Sequence, residues 1–303
     1  MREIIKTDIP KIKELLEKVF SVSNYKTAER LGGLTNHTYR VSLHTDETYL
    51  VRIPGEGTEK MINRADEKRS TLLACSLKID APLLYFSDNG EKVTHYITGA
   101  QTMSAKSFEN QDILRKAAEV LRILHTCGSD TGVVFDVFKM AADYENIIRE
   151  YAVDLFDGYE DIKAQVLSIK NHTEANKKTI LVPCHNDPLC ENWVLDNNGK
   201  LYLIDWEYAG MNDGMWDLAD VSIEANMTQS QDMDLLRFYF GREPNREELM
   251  DFFANKLYLD FLWALWGKTR VPFDGEAMEQ YGLERYARLK QNLIHYQELL
   301  SVN

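Results

Sequence analysis

The chain has 303 residues, with 35 lysines and arginines against 48 aspartates and glutamates, a net charge of −13, and 44% hydrophobic and 11% aromatic residues. That balance excludes a disordered, collagenous or coiled-coil chain and leaves room for two packed lobes. No apolar run approaches the ~20 residues of a membrane span, and an acidic chain without a basic patch is poorly suited to nucleic acid.

The start, MREIIKTDIPKIKELLEKVF, is charged throughout and has no secretory apolar core. Cys75, Cys127, Cys184 and Cys190 match neither a zinc spacing nor a disulfide framework. They are expected to be free thiols in a reducing cytoplasm. Cys184, His185 and Cys190 as a metal set lack the fourth ligand that closes a structural zinc site. The acidic balance favours a cationic small molecule as partner.

Residues 8–20 read as a helix, with Asp8 as N-cap, Pro10 in the first turn and an apolar helical period. Residues 25–53 change to strand texture in YKTAERL, HTYRVSLH and TYLVRIP, joined by Gly32-Gly33-Leu34-Thr35-Asn36 and His44-Thr45-Asp46-Glu47. A charged helix over 58–77 and strands near 83–87 and 91–97 complete a region of helix and antiparallel sheet. After Gly99 helices dominate, near 110–126, 138–151, 158–176, 214–226, 230–240, 245–267 and 275–300. Only ILVPC, NWVLD and LYLID, within residues 180–205, interrupt them as strands. The expected fold class is α+β and two-lobed, residues 1–98 forming a small sheet lobe and 99–303 a large helical lobe, with the ligand cleft between.

The chemistry concentrates in Pro183-Cys184-His185-Asn186-Asp187-Pro188-Leu189-Cys190-Glu191-Asn192 and, after a hairpin, Leu203-Ile204-Asp205-Trp206-Glu207. Phosphoryl transfer needs such groups: one carboxylate to orient and deprotonate an acceptor hydroxyl, and an amide oxygen with a second carboxylate to hold magnesium. Each residue alone also suits a turn; the ordered set points to a site. A nucleotide-binding sheet further needs a glycine turn whose amides approach phosphate, and Gly32–Asn36 sits between the first two strands. The turn is neither Walker A nor GxGxxG, and a plain hairpin reading stays open. The third strand supplies Arg52, a fixed fork for phosphate oxygens, and the next helix offers Glu67.

Residues 201–236 hold Asp205, Glu207, Asp213, Asp217, Asp220, Glu224, Asp232 and Asp234 and no lysine or arginine. A solvated acidic face is the ordinary meaning of such a run, yet Trp206, Tyr208 and Trp216 interleave with it. Trp263 and Trp266, three apart in DFLWALWG, share a helix face ending at Gly267. Such a stripe is either core or a cage for quaternary ammonium.

These segments resemble the choline and ethanolamine kinases, within the group that holds the aminoglycoside phosphotransferases and the protein-kinase-like fold. The resemblance runs from about residue 28 to 290 and rests on HxD-x4-N at 185–192, on DWEYAGMN from Asp205, on Arg52 in a VRI-x-G strand where protein kinases carry lysine, and on FLW-x-LW. It implies ATP and Mg2+ as cofactors. It makes Asp187 the base, Asn192 and Asp205 metal ligands with Glu207 as a further carboxylate, and His185 a brace of the loop. Asp217 would hold that loop from below. Gly32, Gly33, Leu34, Thr35, Asn36 and Arg52 would hold the nucleotide, with Glu67 as ion-pair partner of Arg52. Trp263, Trp266 and Tyr281 would cage choline beside Glu224.

The family's cage tyrosine a few residues beyond Glu224 has no counterpart, since residues 226–229 contain no aromatic; Tyr258 is a candidate replacement. The expected activity is phosphorylation of choline by a monomer or homodimer in the cytoplasm. The same chemistry on ethanolamine, thiamine or an aminoglycoside, a non-catalytic kinase-like module, and a protein kinase are the rival readings. The last is disfavoured because HRD, DFG and APE sequences are missing.

Overall fold

In a computed structural model, residues 4–32, 36–55, 62–176 and 179–301 are described. Gly33, Leu34 and Thr35 of the expected phosphate turn lie outside them.

Helix α1 (Ile9–Phe20) turns Ile12, Leu15 and Leu16 inward. They pack on Tyr39, Val41, Tyr49, Val51 and Ile53 of strands β2 (Asn36–Ser42) and β3 (Thr48–Pro54). Alternation along these strands sends every second side chain to that core and the others to the opposite face. With β1 (Thr27–Gly32), β4 (Leu83–Phe86) and β5 (Lys92–His95) they form an antiparallel sheet of order β1-β2-β3-β5-β4. Asp8 stands at the N-cap of α1 as expected, with Pro10 in the first turn, but its side chain makes no cap hydrogen bond. Tyr39 Oη donates to Asp8 Oδ2 at 2.6 Å, and His37 Nδ1 lies 2.7 Å from the same oxygen. A buried carboxylate binds these sheet donors instead.

Helix α2 (Arg64–Ser76) starts at Asn63, whose side chain accepts from the amides of Ala65 and Asp66 at 3.1 and 3.3 Å. Its inward face is polar, with Arg64, Glu67, Ser70 and Thr71 all buried. The Glu67–Arg52 ion pair ties the helix to β3, while Ala74, Leu73 and Leu77 meet the larger apolar core.

The C-terminal region is helical: α3 (Gln111–His125), α4 (Val137–Glu150), α5 (Tyr159–Asn176), α6 (Gly214–Glu224), α7 (Gln229–Phe240), α8 (Arg246–Asp274) and α9 (Glu276–Ser301). α8 runs through the middle, with sixteen buried residues including Leu257, Leu262 and Leu265. The expected stop of this helix at Gly267 is corrected: it continues to Asp274. A Cβ on Gly267 would stand 2.8 Å from the Tyr281 ring and 3.2 Å from the Gly282 backbone. The glycine is there for close approach of α8 and α9.

Short strands carry the loops. β7 (Val182–Cys184) pairs with β10 (Gly210–Asn212), and β8 (Trp193–Leu195) lies between β6 (Gln101–Thr102) and β9 (Leu201–Leu203). β6 and β10 carry no signal in the sequence, being two and three residues long and set by their tertiary partners. The four cysteines are free. No helix among the described residues is long and apolar enough to cross a membrane.

Candidate active site

The loop from His185 to Asn192 is held by its own polar atoms. The buried Asp217 carboxylate, on α6, accepts the backbone N–H groups of His185 and Asn186 at 2.8 Å each, and its Oδ2 meets His125 Nε2 at 3.0 Å. Trp216 Nε1 donates to Asn186 O at 3.0 Å and Trp193 Nε1 to Pro188 O at 3.1 Å. Asn186 sits at φ 66°, a left-handed pose that asparagine tolerates, and its side-chain amide donates to Tyr208 O at 3.0 Å.

His185 Nε2 donates to Ile204 O at 2.9 Å, which leaves Nδ1 as acceptor for the Asp187 amide at 3.3 Å. Burial holds this imidazole below its usual pKa. The ring packs on Trp206 at 4.7 Å. His185 thus ties the Asp187 loop to the strand end that carries Asp205, consistent with a brace.

Asp187 is half-buried. Burial first, then Asp205, Glu224 and Glu207, push its carboxyl well above the ordinary range, while Arg285 pulls it back. Asn192 Nδ2 donates to Asp187 O at 2.8 Å, which turns the amide oxygen away from that bond. Asp205 takes φ 70°, and its side chain is 37% exposed. An outward amide oxygen and an accessible carboxylate are the hard oxygen donors that suit magnesium, which retains waters and phosphate oxygens rather than seeking a closed protein cage. Glu207 is more constrained: Asn36 Nδ2 donates to it at 2.9 Å and Arg64 Nη1 stands at 3.7 Å. Burial and Asp205 raise its pKa to about 7.

On the sheet side, the buried Arg52 pairs with Glu67, reaches Asp205 at 3.3 Å and donates to Gly90 O at 3.0 Å. Glu67 also takes Arg64 Nη1 at 2.7 Å. One chain of charges therefore links Asp205, Arg52, Glu67, Arg64 and Glu207. Arg64 is absent from the sequence reading; its place one turn before Glu67 is the signal that it shares a helix face.

The aromatic residues form a second wall. Ring centroids of Tyr208 and Trp263 lie 5.7 Å apart, Trp263 and Trp266 6.2 Å, and Trp266 and Tyr281 5.7 Å, all edge-to-face. Arg285 lies over Tyr281 at 5.0 Å, pairs with Glu224, and stands 3.6 Å from Asp260, which also holds Arg288. Glu224 is therefore neutralised by a buried arginine.

The acidic stretch 201–236 is no solvated face: Asp217, Asp220 and Asp232 are buried. His125, Arg285 and Lys256 reach it from other helices. Tyr258 does not join the ring wall. Its hydroxyl is 3.3 Å from Thr173 and its ring 5.2 Å from Phe138.

The imagined set of Cys184, His185 and Cys190 is not gathered. Cys184 instead lies with His125 and Asp217, all buried, their ligand atoms within 4.8 Å of one another. There Asp217 is already bonded to two amides and His125 to Tyr239 at 2.9 Å. An apolar cavity of about 350 Å³ between α7 and α8, lined by Met233, Leu236, Met250 and Phe253, contains none of the site residues.

A five-stranded antiparallel sheet with a charged helix, set on a helical region with a polar loop and a second carboxylate, is the architecture of a kinase-like phosphotransferase. The profile described as choline/ethanolamine kinase matches residues 28–261, and the chain belongs to that family. The crystal structure of a choline/ethanolamine kinase family protein from Mesorhizobium loti is similar at 33% identity and a TM-score of 0.85, covering 98% of each chain. That of choline kinase LicA from Streptococcus pneumoniae is similar at 32% identity and a TM-score of 0.80, covering 94% of this chain and 98% of that one. Protein LicA of Haemophilus influenzae is 30% identical over 247 residues, 78% of this chain and 90% of its own.

Proposed function

We propose that the protein transfers the γ-phosphoryl group of ATP to the hydroxyl of choline, giving phosphocholine and ADP, with ATP bound between a lobe of residues 1–98 and a lobe of residues 99–303. The observation that carries the reading is the continuous edge-to-face run Tyr208, Trp263, Trp266 and Tyr281 together with the raised Asp187 carboxyl, whose charge Tyr208 and Tyr281 both sense. A trimethylammonium prefers aromatic faces, whereas a primary ammonium seeks carboxylate oxygens. Glu224 is already taken by Arg285, so the wall offers ring faces more than free carboxylate. Ethanolamine, which the family's name also covers, is the second reading.

Asp187 accepts the proton of the acceptor hydroxyl. As the acceptor oxygen bonds to the γ-phosphorus, the bond to the β–γ bridging oxygen breaks and ADP leaves. Arg52, fixed by Glu67 and Gly90 O, would meet the phosphates on this reading. Asn192 and Asp205, with Glu207, would hold magnesium, which when bound offsets phosphate charge. The protein works in the cytoplasm on this reading.

ADP release with magnesium and ATP, comparing choline, ethanolamine, thiamine and kanamycin at matched concentrations, tests the assignment. Choline is expected to give the highest kcat/KM. Preference for another amine refutes the choline assignment and keeps the phosphotransfer chemistry; no turnover of any refutes both.

A further inference from the structure

Arg64, on α2, has no part in the transfer described above, yet it is buried among the groups that do. Three residues meet its guanidinium. Nη1 donates to Glu67 Oε2 at 2.7 Å, Nη2 donates to Asn36 Oδ1 at 3.4 Å, and Nη1 stands 3.7 Å from Glu207 Oε2. Asn36 Nδ2 in turn donates to that same Glu207 oxygen at 2.9 Å. These partners come from β2, from α2 and from the segment after β9. A planar fork with several donors can serve all of them at once, which a point charge cannot.

Glu67 divides its carboxylate between two arginines: Oε2 receives Arg64 and Oε1 receives Arg52. Arg52 is thereby held through Nη2 and keeps Nη1 for Asp205, 3.3 Å away. With Arg64 removed, Glu67 would be left to face Arg52 with both oxygens, the paired geometry that guanidinium and carboxylate favour, and the Arg52 fork would turn from Asp205. Glu207 depends on Arg64 as well. Two donors on Oε2 fix the rotation of a carboxylate whose side chain is 6% exposed.

The seat of Arg64 is built by the turn between β4 and β5. A Cβ on Gly90 would stand 2.5 Å from Arg64 Cδ, 2.6 Å from Nε and 3.1 Å from Cγ, and φ there is 89°. The arginine stem lies against bare backbone that only glycine provides. The carbonyl of the same glycine accepts Arg52 Nη2 at 3.0 Å. One turn therefore sets the depth of both arginines.

We propose that Arg64 is a positioning residue for the metal and phosphate site. Seated on Gly90, it holds Glu67 so that Arg52 faces Asp205 and the nucleotide, and it holds Glu207 beside Asp205 for magnesium. This rests on the reading of the protein as a magnesium-dependent phosphotransferase.

The test measures Mn2+ binding in the presence of ADP by electron paramagnetic resonance, together with the magnesium dependence of turnover, choline KM and the thermal midpoint. The proteins are wild type, Arg64→Gln, Arg64→Lys and Arg69→Gln. Arg64→Gln is expected to weaken Mn2+ binding roughly 10- to 100-fold, the usual cost of removing a partner of a metal-site carboxylate. The magnesium requirement should rise in step, with choline KM within about twofold of wild type. Arg64→Lys keeps the charge without the fork and is expected to lie between the two. Arg69 is exposed on the same helix and pairs with Asp66, so Arg69→Gln should stay within about twofold of wild type in every readout. If Arg64→Gln loses its thermal transition, Arg64→Lys carries the test, with Mn2+ binding weakened at least ~3-fold.

Wild-type Mn2+ affinity in a folded Arg64→Gln overturns the inference, even where the thermal midpoint falls. So does a choline KM raised as far as the magnesium requirement, which would mean general distortion. An Arg64→Lys equal to wild type would assign the effect to charge alone and overturn the positioning role. A wild-type protein that binds no Mn2+ in the presence of ADP overturns the magnesium reading and this inference with it.

Discussion

Asp217→Ala removes the anchor of the loop that carries Asp187. The wild-type carboxylate is fully buried and accepts two backbone N–H groups at 2.8 Å and meets His125 Nε2 at 3.0 Å. An alanine leaves the His185 and Asn186 amides buried without acceptors. Each orphaned donor costs about 1–3 kcal/mol, and the stranded His125 adds to this, so the loss is about 3–6 kcal/mol.

Against a total stability of ~5–15 kcal/mol, and at ~2–3 °C per kcal/mol for a chain of this size, the thermal midpoint should fall by roughly 6–18 °C. In the folded fraction, the released loop misplaces Asp187. Since displacement by ~1 Å can cost ~100-fold in rate, kcat should fall at least that far while ATP KM changes little. Scanning calorimetry and steady-state kinetics on the same preparation measure both. A midpoint within about 2 °C of wild type, or a kcat within twofold, would falsify the anchoring argument.

Gly267→Ala puts a Cβ 2.8 Å from the Tyr281 ring and 3.2 Å from Gly282. It should cost about 1–3 kcal/mol in denaturant titration and raise acceptor KM more than ATP KM; equal effects on both would contradict the proposed place of Tyr281. Arg52→Lys cannot reproduce a fork that meets Glu67, Asp205 and Gly90 O together. ATP KM should rise about tenfold, the equivalent of ~1.4 kcal/mol, with choline KM little changed, and initial-rate kinetics at varied ATP decide it. For pH, Asp187 acts ionised, so kcat/KM climbs as pH rises through its elevated pKa. Glu224→Gln removes one negative neighbour and leaves Arg285 to favour the ionised form, so that limb should move to lower pH; a shift upward would contradict the electrostatic assignment.

The polar loop proposed as the catalytic one was legible as a loop between strands because its pattern is local. His185, Asp187, Asn192 and Asp205 lie within a short stretch of loop and hairpin, and strand texture on either side marks it. The sheet was legible for the same reason, through alternation in β2 and β3. The charge partners were not. Glu224 and Arg285 are 61 residues apart and Asn36 and Glu207 are 171 apart, and only packing brings them together. Hence the acidic run by itself has the look of a solvated face, while in the structure His125, Lys256 and Arg285 arrive from other helices.

Gly267 read as a helix stop because glycine commonly ends helices; its real constraint is a neighbouring helix. Asp8 does hold the N-cap position that aspartate favours, but its carboxylate turns to partners on β2, which no local pattern shows.

The most direct test of the chemistry is phosphorus NMR of ATP, magnesium and choline with wild type and with Asp187→Asn. If Asp187 takes the choline proton in line with γ-phosphoryl transfer, wild type forms phosphocholine in step with ADP. Asp187→Asn then forms it at least ~100-fold more slowly, as expected for removal of a general base. Release of inorganic phosphate without phosphocholine, or an undiminished rate in the variant, would contradict the assignment.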